Sequence, residues 1–161
     1  AAPSVEPSLL PSDSSGPSQS PTLSFCNITP EERESLIVRL LVDAGIELST
    51  IQDTTTVQGQ ATEWIINQDV RVVCPDDAKL LQRWVMALFY FATNGPNWTR
   101  CSAVGSDPCG TEEPFVNQRR FLSANNECEW AGITCNVEAC ITEIEFENNN
   151  LIGCTCSIYI I

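Results

Sequence analysis

The residues best equipped for chemistry are nine cysteines, at positions 26, 74, 101, 109, 128, 135, 140, 154 and 156, with no histidine beside them. Thiols can bridge, bind soft metals or attack an electrophile. Attack needs a base, and no Ser, Cys or Lys stands in a recognisable nucleophile motif. A zinc site would have to use thiolates alone, and only Cys135-x4-Cys140 and Cys154-x-Cys156 have suggestive spacings, without a repeated C-x2-C pair. Disulfides are the economical reading, and they require an oxidising compartment. The odd count leaves at least one thiol outside intramolecular pairs.

Carboxylates are the second resource. Adjacent acids such as Glu112-Glu113 and Asp76-Asp77 rarely converge on one substrate, so general acid/base catalysis is not expected. Twenty-one acidic against eight basic residues give a net charge of -13. That balance repels phosphate backbones and anionic membrane surfaces, which argues against nucleic acid as a partner. Two triplets fit N-glycosylation: Asn97-Trp98-Thr99, and Asn27-Ile28-Thr29, which Pro30 weakens. No cofactor or metal is expected.

Residues 1–24 hold eight Ser and five Pro, with no Lys, Arg or aromatic residue. Such a stretch buries too little apolar surface to offset chain entropy, so it is expected to be a disordered spacer. No apolar run approaches the roughly 20 residues of a membrane span, so direct insertion is not expected. The longest, Trp84 to Ala92, is too short. The chain begins with Ala, which fits a removed leader or an anchor upstream.

Thr29-Pro30-Glu31-Glu32 predicts a helix start with a capping box, followed by Leu36, Ile37, Leu40 and Leu41 on one face and a stop at Gly45. The charged face, Glu31 to Arg39, reads as solvated. A second helix is expected over about 56–67, with Val57, Ala61, Trp64 and Ile65 inward. A third is expected from Asp76-Asp77 to Thr93, and apolar residues nearly encircle it. A helix of that kind is the buried centre of a domain. From Trp98 to Asn126 the pattern is irregular, so a Cys101 to Cys109 bridge is expected to hold it. Arg119-Arg120 reads as local salt-bridging to the acidic surface.

The end of the chain has a template. Ile141, Ile144, Phe146, Asn149, Leu151 and Gly153 fit L-x-x-L-x-L-x-x-N-x-L-x-G, the leucine-rich repeat. Just before it, Cys128-x-Trp130-x-Gly132-Ile133-x-Cys135 resembles the paired-cysteine cap preceding the first repeat of plant-type leucine-rich-repeat proteins. Gln58-Gly59-Gln60-Ala61-x-x-Trp64-Ile65, Leu81-Gln82-Arg83-Trp84, Phe89 through Gly95, and Trp98 are similar to the helical N-terminal region of such proteins from diatoms and related algae. The resemblance spans residues 30–153 and implies a Cys128 to Cys135 bridge with Trp130 packed beside it. Cys26, Cys74, Cys140, Cys154 and Cys156 stay unassigned. In that family a Ser/Pro spacer often follows a membrane anchor.

The fold so implied is mainly α: a disordered tail (1–24), a disulfide-stapled helical N-terminal cap (25–135), and the first, incomplete repeat of an α/β solenoid (136–161). After Gly153 the plant-type pattern continues x-Ile-Pro, whereas this chain reads Cys154-Thr155-Cys156. A solenoid needs about three or more repeats to cover its core, so the chain is either a fragment or a cap used alone. Asn149 is expected to bond the turn leaving the strand. Period-two geometry places Glu143, Glu145 and Glu147 on the exposed concave side, and together with Asn148 they are the candidate binding face.

The expected function is a non-enzymatic, extracellular or lumenal recognition module for a protein or peptide ligand. The acidic row would favour a basic partner or loosely bound calcium. The alternatives are a free-standing matrix protein of the cell surface, and a secreted enzyme or inhibitor.

Overall fold

A computed structural model describes residues 25–109 and 115–153. The expectations for residues 1–24, for Glu112-Glu113, and for Cys154 and Cys156 lie outside the described residues. Those described are mainly helical: α1 (Pro30–Asp43), α2 (Leu48–Gln52), α3 (Val57–Glu63) running into a π-helical turn (Trp64–Gln68), and α4 (Leu80–Ala92). One two-stranded antiparallel sheet follows, β1 (Ile133–Cys135) with β2 (Ile141–Ile144).

Helix α1 starts on a complete capping box. Thr29 Oγ1 accepts from the Glu32 amide at 3.2 Å, and Glu32 Oε2 accepts from the Thr29 amide at 2.9 Å, so orphan donors are satisfied reciprocally. Ile37 and Leu41 are buried, whereas Leu36 is 43% exposed, so the apolar stripe is narrower than the sequence predicts. The charged face is not wholly solvated either. Arg33 turns inward and donates to the carbonyls of Ile65 (3.0 Å), Ile66 (2.9 Å) and Val73 (2.9 and 3.1 Å). The first two carbonyls lie in the π turn at the end of a helix, where backbone acceptors lack partners. Burial lowers the Arg33 pKa, partly offset by the charge of Asp69.

Helix α4 begins three residues after Asp77, not at Asp76-Asp77. Asp77 Oδ1 accepts from the Lys79 amide at 2.7 Å and its carbonyl accepts from the Leu80 amide, so this pair shapes the preceding turn. Leu80, Trp84, Met86, Ala87, Phe89 and Tyr90 of α4 are buried, while Leu81 stays 37% exposed. Around them Phe89, Tyr90, Trp98, Phe121 and Trp130 form an aromatic cluster, with Trp98 and Phe121 edge-on at 4.9 Å. The core is continuous across residues 135 and 136. Ile133 and Trp130 belong to it, and Ile141, Ile144, Phe146 and Leu151 pack against it.

Among the described residues three disulfides staple the fold: Cys26 to Cys74, Cys101 to Cys109, and Cys128 to Cys135. They fit an extracellular or lumenal setting. Cys140 is a half-buried free thiol, with Lys79 Nζ donating to its sulfur at 3.0 Å. Among the described residues no helix is long and apolar enough to cross a membrane.

Candidate binding face

The hairpin that carries the acidic residues is held from beneath by a buried arginine. Arg83 sits in the first turn of α4, fully buried, in the space between Trp64 and Trp130, its guanidinium carbon 5.3 and 4.8 Å from their ring centroids. Nε and Nη2 donate to the two oxygens of Asp69, both at 2.7 Å. Nη2 also donates to the Ser123 carbonyl at 2.8 Å, and Nη1 to the Asn125 carbonyl at 3.0 Å and Glu127 Oε2 at 3.3 Å. A guanidinium has five N–H donors, and here each has an acceptor.

Glu127 passes the connection on. Its Oε1 accepts from Gln82 Nε2 at 2.9 Å, and the same amide donates to the Ala139 carbonyl at 3.0 Å. Gln82 Oε1 accepts from the Ile141 amide at 3.0 Å. One side chain of α4 therefore fixes the start of β2. Polar residues deep in a core are tolerated because they are satisfied.

β2 pairs with β1 through a bulge. Ile133 faces Ile144 and Thr134 faces Glu143, but Cys135 faces Ile141, leaving Thr142 as the extra residue. Both Thr142 and Glu143 are exposed, and Ile141 and Ile144 still turn inward. The strand ends at Ile144, so Glu145 and Glu147 lie beyond it rather than along it. Strict period two does not carry the acidic row, although Glu143, Glu145, Glu147 and Asn148 are all exposed, with Ile144 and Phe146 half-buried between them. Gly132 makes the close crossing possible. At φ 73 its amide donates to the Val116 carbonyl and its carbonyl accepts from the Glu145 amide, and a Cβ there would meet the Glu145 carbonyl oxygen at 2.2 Å.

Phe146 ties this segment to the aromatic cluster, with centroids 4.7 Å from Trp98 and 5.2 Å from Phe121. Asn149 does not bond the turn leaving its own strand. Buried, it accepts from the Arg100 amide at 2.7 Å and donates to the Arg100 carbonyl at 3.0 Å. Thr99 Oγ1 adds a bond to Asn149 Oδ1 at 3.2 Å. Gly153, at φ 149, lies so close to the end of α4 that a Cβ would meet the Ala92 carbonyl oxygen at 1.9 Å. The repeat-like residues thus serve as docking points onto the loop after α4.

The other sequence candidates are placed as follows. Asp76 and Asp77 are exposed on a turn, and Asn97 and Asn27 are exposed. Asp107 meets both Arg119, at 4.0 Å, and Arg120, at 3.5 Å. Among the described residues no group of three or more His, Cys, Asp or Glu could hold a metal ion. A surface pocket of about 210 Å³ at the start of α1, lined by Ile28, Pro30, Glu34 and Ile66 among others, shares no residue with the hairpin.

Sequence reasoning missed Arg33, Asp69, Gln82, Arg83 and Glu127. For Arg83 a signal existed: a charge on a helix with apolar residues nearly all round is drawn toward the core, where a guanidinium needs carboxylate or carbonyl acceptors. Which of the acidic residues answers it is a property of the folded chain. No protein-family model, no curated protein and no solved structure matches this chain.

Proposed function

We propose that the chain is a non-enzymatic recognition module: a disulfide-stapled helical cap whose hairpin supplies the first strand of a leucine-rich-repeat solenoid. The observation that carries this reading is the state of β2. Among the described residues it has a partner strand on one side only, and its apolar neighbours Ile141, Ile144, Phe146 and Leu151 are each only half-buried. An open edge beside half-covered apolar side chains is what a following repeat would pair with and cover. The polar, stapled side, made of α1 to α4, then closes the end of the array. The ligand surface would include Glu143, Glu145, Glu147 and Asn148, whose charge favours a basic protein or peptide. Carboxylates along an open edge also discourage pairing between identical copies.

The transcript beyond Ile161 tests the cap reading. Further units of about 24 residues on the same template are expected. A stop codon directly after Ile161 overturns it and leaves a free-standing secreted matrix protein.

A further inference from the structure

We propose that Asn97 carries an N-linked glycan and that Asn27, in the chain's other acceptor triplet, does not. The inference rests on the oxidising, secretory setting that the disulfides fit, and not on the repeat reading. Asn97 ends a short 3-10 turn, Gly95–Asn97, and its side chain is exposed. The next residue holds it there: Trp98 is buried and its Nε1 donates to the Thr93 carbonyl at 3.1 Å. The turn itself is tight, since a Cβ on Gly95 would meet the Tyr90 ring at 2.2 Å.

An asparagine amide has two N–H donors. One N–H of Asn97 goes to Asn94 Oδ1 at 2.7 Å, so the other can be replaced by a sugar without losing that bond. In the transfer, Asn97 Nδ2 forms a bond to C1 of an oligosaccharide carried on a polyprenyl diphosphate. The C1–O bond to the diphosphate breaks, the polyprenyl diphosphate leaves with that electron pair, and the amide proton passes to a base of the transferase. The triplet's hydroxyl must be accessible at that moment. In the folded chain Thr99 Oγ1 donates to Asn149 Oδ1 and to the Asn148 carbonyl, residues 50 and 49 positions further on. Until that segment docks, Thr99 is available.

Asn27 is also exposed and also ends a 3-10 turn, Phe25–Asn27, but the backbone of its triplet is constrained differently. Pro30 directly follows its triplet and restricts Thr29 to extended backbone, observed at φ -72 and ψ 159. Asn27 itself sits at φ 57 beside the bridged Cys26, and Thr29 becomes the cap of α1 within its own turn of chain.

The test is mass spectrometry of the protein recovered from the secretory pathway of its own cells, digested before and after peptide N-glycosidase. The peptide containing Asn97 should carry a hexosamine-linked mass and show Asp at position 97 after the enzyme. Asn97→Gln should lose one glycan's mass, whereas Thr99→Ser and Asn27→Gln should keep it. Unmodified Asn97 alongside intact disulfides overturns the glycan and leaves the compartment reading standing, as does loss of the glycan mass in Asn27→Gln instead. Reduced thiols throughout, with Asn97 unmodified, overturn both.

Discussion

Arg83 and Asp69 form a two-pronged ion pair, Nε to Oδ2 and Nη2 to Oδ1 at 2.7 Å each, with neither side chain exposed. Helix α4 and the turn after the π-helical segment are locked together by it. Because Glu127 and Gln82 extend the same network to the Ile141 amide, the position of β2 depends on a charge at the centre of the core.

Removing that charge should be costly. Arg83→Met leaves two buried carboxylates unpaired, and about 3–5 kcal/mol of stability should be lost. Arg83→Lys should not rescue it, because a point charge cannot reproduce a planar fork. Replacing Arg83, Asp69 and Glu127 together by apolar residues should recover most of the loss in urea unfolding. A single Arg83→Met variant as stable as the parent would contradict the buried network.

Disulfide loss should scale with loop length. The Cys26 to Cys74 bridge closes a separation of 48 residues and the Cys128 to Cys135 bridge one of 7. In the chain-entropy account the first contributes about 4 kcal/mol and the second about 2–3 kcal/mol. Cys26→Ser should therefore lower the unfolding midpoint more than Cys128→Ser. Peptide mapping without reduction checks the pairings directly.

Asp53 offers a pH test. Its carboxylate accepts from Thr55 Oγ1 at 2.7 Å and from the Thr55 amide at 2.9 Å, and these bonds hold its pKa below the ordinary value. A depressed folded-state pKa gives stability that is present above the unfolded pKa of about 4 and lost as pH falls through the folded one. NMR titration should find the Asp53 midpoint below that of an unfolded peptide, and Thr55→Ala should raise it. An unchanged midpoint in Thr55→Ala would assign the shift elsewhere.

Asn149→Ala removes two bonds to the Arg100 backbone and should cost about 1–3 kcal/mol. Hydrogen exchange at the Arg100 amide should accelerate. Protection equal to the parent would mean that water or another group takes over the bond.

Glu145→Lys should leave folding intact, since the side chain is exposed, while weakening a basic partner at low salt. If binding is insensitive both to this change and to ionic strength, the acidic residues serve only to keep an open edge soluble.

Much of the helical architecture is legible in local chemistry. Thr29, Pro30 and Glu32 specify the start of α1 by hydrogen bonds within a single turn, and Gly45 ends it, so neighbouring residues suffice. The aromatic and aliphatic residues of α4 announce a central helix because burying them is favourable whatever surrounds them. Alternation of charged and apolar residues suggests exposure of Glu143, Glu145 and Glu147, although Glu145 and Glu147 lie beyond the end of β2.

What alternation could not supply is the bulge at Thr142, which depends on register against β1, or the early end of β2 at Ile144. Asn149 shows the same limit. Its residue type predicts a backbone partner, but only the docking of residues 148–150 against the loop after α4 decides that the partner is Arg100. Arg33 and Arg83 are the sharpest case. Arg33 reads as surface from its charged neighbours, and Arg83 reads as drawn inward without its partners being named; burial of either becomes favourable only when carbonyls and carboxylates 14 to 44 residues away converge on it. Sequence pointed to three of the four described α-helices, missing α2 (Leu48–Gln52), and to their apolar content; the tertiary structure decided which charges lie inside, because satisfying a buried charge takes several distant acceptors at once.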